Sequence, residues 1–368
     1  MIKKVLFLII TMLILPMNIN ATEPLTEEFE YDLYRAKVIN VENSIEVSNG
    51  IRNISQEAEV EIINRDKKGE IVTISNFLSG DSIYDMELKE GTIVNVNYDG
   101  EDFHFISYDN LRPIVLLSVV FVGLLILIGG IKGIKALLAL LITIAIITSF
   151  MIPMLLRGAN PIFISVITCA MATLVTFLII SGLNKKTLVA TLGTTTGLVS
   201  GGIIAYIFGH FARLTGFSSS DATMLMYLPS GIELDFRGLL FAGIIIGALG
   251  ASMDVSISIA SSLSELKNQN PKIKMNELVK SGFNIGKDIM GTMINTLVLA
   301  YVGGSLATLL VFVGFSASFY HIMNLDFVAT EFVRAIAGSV GLLIAIPATI
   351  MFFVTFNYKK EVQDEKTS

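Results

Sequence analysis

Pro113-Ile114-Val115-Leu116-Leu117-Ser118-Val119-Val120-Phe121-Val122-Gly123-Leu124-Leu125-Ile126-Leu127-Ile128-Gly129-Gly130-Ile131 decides the fold. The run carries no charge, and a helix needs about 20 apolar residues to cross a bilayer. The chain on either side of its start is two different materials. Residues 22–112 hold 20 acidic and 8 basic side chains, whereas residues 113–368 hold 12 acidic and 16 basic ones. Residues 1–21 add only Lys3 and Lys4, so the net charge of −6 averages three unlike segments. Overall 53% of the residues are hydrophobic and 16% charged, against about one quarter charged in a typical soluble domain. A fully soluble protein is excluded. The acidic segment repels phosphate, which excludes a nucleic-acid partner. The single cysteine, Cys169, excludes both a disulfide framework and a Cys-based zinc site within one chain, and no cofactor is expected. Without tryptophan, any interfacial aromatic belt rests on Tyr and Phe.

The first residues read as a signal peptide spanning 1–21. A basic start, Met1-Ile2-Lys3-Lys4, precedes the apolar stretch from Val5 to Met17, which is short for a membrane span, and Ala21 closes a fair cleavage site. Residues 22–112 then read as an exported β domain. Runs rich in Val, Ile, Tyr and Phe predict strands at Tyr34 to Val41, Ala58 to Ile63, Ile71 to Asn76, Thr92 to Tyr98 and Phe103 to Tyr108. Asp99-Gly100 is the sharpest hairpin signal, in a loop lengthened by Glu101 and Asp102. Five short strands predict a small barrel of the OB or SH3-like kind, a fold that names no ligand. His104 reads as a strand residue.

Residues 113–358 read as an α-helical integral membrane bundle. Apolar stretches at 113–131, 136–153, 161–182, 188–208, 237–254, 290–314 and 330–356 predict about seven spans. With the β domain outside, the inner loops hold Lys132, Lys135, Lys185, Lys186, Lys267, Lys272, Lys274, Lys280 and Lys287, and the tail 359–368 adds Lys359, Lys360 and Lys366. The outer loops hold Arg157, Arg213 and Arg237, with Arg112 at the first entry. This bias fixes a cytoplasmic C-terminus by the positive-inside rule. The outer loop 209–236 contains an apolar segment, Ala222 to Leu228, that Pro229-Ser230-Gly231 breaks.

Small residues recur at the spacing that lets helix backbones approach. Gly193, Gly197 and Gly201 form one such stripe, and Gly243, Gly247 and Ala251 another. Both predict helix packing. Asn160-Pro161 reads as a helix start. Glu331 and Arg334, at i and i+3, predict an ion pair. His210 and His321, with Asp221 and Asp326 nearby in sequence, would form a metal site only where their loops meet.

The polar hairpin after the fifth span is the candidate site. Asp254, Ser258, Ser261 and Glu265 share one helix face at spacings of 4, 3 and 4, and Asn284, Asp288, Gly291 and Asn295 repeat that spacing on the returning helix. Carboxylates at membrane depth are costly and face a cavity, a partner charge or an ion. Asp254 and Asp288 thus read as a shared-proton or cation site completed by Ser and Asn oxygens, suited to H⁺, Na⁺ or Mg²⁺ rather than to soft metals. The competing reading makes Asp254 a helix cap and leaves Lys287 or Asp288 paired and inert in the interface. Lys287 reads as an anchor.

Gly238-Leu239-Leu240-Phe241-Ala242-Gly243-Ile244-Ile245-Ile246-Gly247-Ala248-Leu249-Gly250-Ala251, with Met253-Asp254-Val255 and Ser258-Ile259-Ala260-Ser261, resembles the YibE/F family of bacterial membrane proteins. So does Asn284-Ile285-Gly286-Lys287-Asp288-Ile289-Met290-Gly291-Thr292-Met293 followed by Asn295-Thr296-Leu297. The resemblance covers nearly the whole chain. It implies a multi-pass protein of the bacterial cell membrane, singles out the hairpin and supplies no substrate. Two functions compete. One is a transporter or channel component for an ion or small solute that uses the intramembrane Asp residues. The other is a non-transporting scaffold or signalling protein whose β domain binds an exported partner. The bilayer is a partner in either case, and a homo-oligomer is compatible with both. An enzyme is not expected: the Gly-x-Gly-Asp context of intramembrane aspartyl proteases is absent, as are the Gly-x-Ser-x-Gly, His-Glu-x-x-His and phosphate-loop motifs.

Overall fold

The computed structural model describes residues 32–48, 51–78, 85–218, 220–227, 234–314 and 318–367. The expected signal segment 1–21 lies outside them. The chain divides into two compact units, residues 24–125 and, among the described residues beyond them, 126–367.

All five expected strands form. They are β1 (Asp32–Ser48), β2 (Ile51–Ile62), β3 (Ile71–Leu78), β4 (Ile93–Tyr98) and β5 (Phe103–Tyr108). Every pairing is antiparallel, in the order β3-β2-β1-β4-β5. β3 and β5, the two ends of that order, approach within 8 Å between Cα atoms, so the sheet curls into a half-barrel. Alternate residues turn inward, as the period of a strand requires. Tyr34, Ala36 and Val38 from β1 meet Ala58, Val60, Ile62, Ile74, Val94, Val96 and Phe103 in one core. In the β4–β5 hairpin, Asp99 Oδ1 accepts from the backbone N–H groups of Glu101 and Asp102, and Gly100 takes φ +106°. These bonds stabilise the ionised form of Asp99 and hold its carboxyl well below the usual carboxylate range, with the imidazole of His104 at 2.8 Å adding to the effect.

The helical part begins with α1 (Leu111–Ile146), which runs through a π-helical turn at Ile147–Met151 into α2 (Ile152–Leu156). Next come α3 (Pro161–Ser181), α4 (Lys185–Phe211), the short α5 (Ser220–Met224) and α6 (Phe236–Gln269). The chain ends with α7 (Met275–Gly304), α8 (Leu306–Gly314), α9 (Phe319–Met323) and α10 (Asp326–Thr367). Among the described residues five helical stretches are long and apolar enough to cross a membrane: Leu111–Leu156, Pro161–Ser181, Lys185–Phe211, Phe236–Gln269 and Asp326–Asn357. They mark the chain as a membrane protein.

The difference from seven expected spans has two local causes. The stretches 113–131 and 136–153 lie on one helical run, interrupted only at Gly130, whose φ of 52° and ψ of −131° are not helical. The stretch 290–314 is divided at Ser305, which ends α7 before α8 starts. Asn160 caps α3 as its position before Pro161 predicts, accepting from Phe163 N–H at 3.0 Å.

The core of the helical unit gathers around α10. Leu342, Ile346, Ile350 and Phe353 pack with Val189 and Ala190 of α4, Val255, Ile259 and Leu263 of α6, and Leu278 of α7. The stripe Gly193, Gly197 and Gly201 lies against α10. A Cβ on Gly197 would sit 2.6 Å from the carbonyl oxygen of Gly341, and one on Gly193 would overlap the Thr349 side chain. On α6, Gly243 has nothing within 4 Å, and Gly247 meets the hydroxyl of Tyr301.

Candidate functional site

Glycine contacts set the heights of the two helices that carry the candidate residues. A Cβ on Gly282 would touch Ile350 and Leu263, and one on Gly286 would touch Ile346 and Ile259. Further along α7, Leu297 reaches Gly338, and Tyr301 reaches Gly247. Residue numbers rise along α7 as they fall along both α6 and α10, so α7 is antiparallel to both. Asp288 therefore lies about 4 Å along the axis from the midpoint of the Asp326–Asn357 span, at a helical rise of about 1.5 Å per residue. Asp254 lies two residues beyond Ser252, whose carbonyl oxygen is 3.5 Å from Thr194 Oγ1 on α4. That places it about 9 Å from the midpoint of the Lys185–Phe211 span. Both carboxylates fall within the half-thickness of a hydrocarbon core, about 15 Å. At the centre of a bilayer such a group costs about 2.5–3.5 kcal/mol on insertion scales.

The acids are close in height, and both are exposed. Gly286 is buried and faces α10 and α6. Asp288 is two residues on, a rotation of about 200°, and so points away from that contact. Asn284, Lys287, Asp288, Gly291, Thr292 and Asn295 are all exposed on α7, and Gly291 has nothing within 4 Å. On α6, Asp254 is exposed, while Ser258 and Ser261 are half-buried. The spacing thus puts residues on shared faces as expected. Asp254 sits in the interior of α6 and caps no helix, which removes one of the inert readings.

Other polar groups lie deeper than the expected ones. Ser252 and Ser256, fully buried on the inner face of α6, have hydroxyl oxygens with no hydrogen-bond partner. The hydroxyls of Tyr301 and Thr330 and the Nε of Arg334 are likewise buried and unpartnered. Arg334 is held by Glu331 at 2.8 Å, the pair expected from their spacing, and its guanidinium lies 5.9 Å from the centre of the Tyr301 ring. The signal for this set was present as Ser, Thr and Tyr inside apolar stretches, but those types also satisfy their own helix backbone. Thr191, Thr195 and Thr349 do so here.

On the outer side Asp326 has partners of its own. Thr215 donates to the Asp326 carboxylate through its backbone N–H and, at 2.8 Å, through its hydroxyl. Among the described residues no three His, Cys, Asp or Glu side chains group as metal ligands do.

Comparison with known proteins adds two findings. Residues 117–359 match the family model described as YibE/F-like protein, and residues 29–108 match the one described as YibE/F family N-terminal domain. No curated protein and no solved structure matches the chain.

Proposed function

The chain belongs to the YibE/F family, and from that premise we propose that it moves an ion or small polar solute across a membrane. The route runs along the polar faces of two helices: Asp254, Ser258 and Ser261 on α6, and Asn284, Asp288 and Asn295 on α7. One observation carries the reading. Asp288 stands on the exposed face of α7, level with the middle of a bilayer-length helix, and no described side chain pairs with it. Hydrocarbon does not solvate a carboxylate, so a water-bearing path or a partner faces it.

The same reading assigns the spans. The run Leu111–Leu156 has 46 residues, about 69 Å of helix, more than twice the hydrocarbon thickness of about 30 Å. We take it as two spans hinged at Gly130, with Lys132 and Lys135 at the inner surface. Together with α7–α8 as a discontinuous span, this makes seven. The β domain is then exported behind the 1–21 signal, the C-terminus is cytoplasmic, and the host is the bacterial cell membrane. The order β3-β2-β1-β4-β5 with β3 beside β5 supports an OB-like barrel.

The test is flux in proteoliposomes, with internal pH dye and release of H⁺, Na⁺, K⁺ and Mg²⁺ as readouts. Wild-type protein is expected to carry at least one of these ions, and Asp254→Asn and Asp288→Asn to lose that flux while accumulating in the membrane as wild type does. Flux that survives both substitutions, or a wild-type protein that moves none of these ions, would overturn the route.

A further inference from the structure

We propose that the exposed face of α7 is the contact between two copies of this chain, so that the α7 side of the polar route lies at the axis of a symmetric pair. The face carries one cation, Lys287, one anion, Asp288, two amides, Asn284 and Asn295, and at its centre the open Gly291. That composition is complementary to itself. Copies inserted in the same orientation are related by a two-fold axis along the membrane normal, so their α7 helices run parallel and each residue approaches its own mate. Lys287 of one copy then reaches Asp288 of the other, both amides pair with themselves, and Gly291 lets the backbones come close.

Neither lipid tails nor the rest of the described chain supplies these partners. Lipid tails offer no hydrogen bonds. α1 also has an open surface, and none of the apolar window that makes it a span is buried. Its two hydroxyls have partners: Ser118 donates to Ile114 O, and Thr143 lies 3.4 Å from Thr176. Its charged side chains within the helix past Arg112, Lys132 and Lys135, are both cations and leave Lys287 without a mate. The opposite face of α7 is already occupied by α6 and α10 through Gly282 and Gly286. A second copy of the same face is the occupant that satisfies the cation, the anion and both amides together.

The pairing rests on the proposed route for its purpose, but the two fail separately. Flux by a monomeric protein would sink the pairing alone, and a paired protein without flux would sink the route alone. The experiment is disulfide trapping in native membranes. Cys169, the lone cysteine, is replaced by Cys169→Ala, and Gly291→Cys and Asn295→Cys are introduced singly into that background. Mild oxidation is expected to convert each into a species of twice the mass of the unoxidised chain. Leu127→Cys on α1, where Leu127 is 81% exposed, should remain a single chain. In nanodiscs, Lys287→Asp is expected to lower the paired fraction seen by light scattering, and Lys287→Asp with Asp288→Lys to restore it. The proposal fails if neither cysteine on α7 crosslinks, if Leu127→Cys crosslinks as readily, if the adduct has another mass, or if Lys287→Asp leaves the pair intact.

Discussion

Two glycine stripes with the same four-residue spacing do opposite things in this molecule. Gly193, Gly197 and Gly201 on α4 lie against α10, where Thr349, Ala345, Gly341 and Ala337 fill the space that side chains would need. Gly243 on α6 faces nothing within 4 Å and its neighbour Gly247 touches only a side-chain tip, while Ala251, the third member, is half-buried against the helical core. One stripe is a contact between two spans of the same chain. The other belongs to the face that leads to Asp254. Small residues permit close approach, but the helix that passes across the stripe decides whether the permission is used.

Single substitutions can break that contrast. Gly197→Ala should do the most damage, because its new Cβ meets a backbone carbonyl oxygen at 2.6 Å that cannot rotate away. We expect a loss of about 1–3 kcal/mol, of the size seen when well-packed interiors are overfilled. It would be read as a lower thermal midpoint in detergent. Gly247→Ala is next. Its obstacle is the Tyr301 hydroxyl, the far end of a side chain with no hydrogen bond to lose, and the cost should stay below about 1 kcal/mol. Gly243→Ala is the smallest: with open space around it, the variant should match wild type or gain up to about 1 kcal/mol of helix propensity. Equal losses at Gly197 and Gly243 would erase the distinction between the stripes.

The site was legible in part. The 4, 3, 4 spacing places Asp254 with Ser258 and Ser261, and Asp288 with Asn284, Gly291 and Asn295, because a helix repeats every 3.6 residues. Asn160 as a cap and Glu331–Arg334 as a pair were equally readable, since each involves partners three residues apart. The unpartnered hydroxyls of Ser252 and Ser256 were not, because hydroxyls within apolar helices most often bond their own backbone. The break at Gly130 falls at the boundary already readable between 113–131 and 136–153, but the division at Ser305 was not readable from hydropathy, because hydropathy records where a chain is apolar and not where its helix changes direction.

By itself the sequence determined the separation into an acidic β domain and an apolar helical part, the five strands and the polar character of the hairpin. All of these follow from composition and local periodicity. Only the tertiary structure decided that Gly286 turns inward and Asp288 outward. Periodicity states which residues share a face of a helix. It carries no information on which neighbour that face meets, because the meeting is set by how distant helices cross.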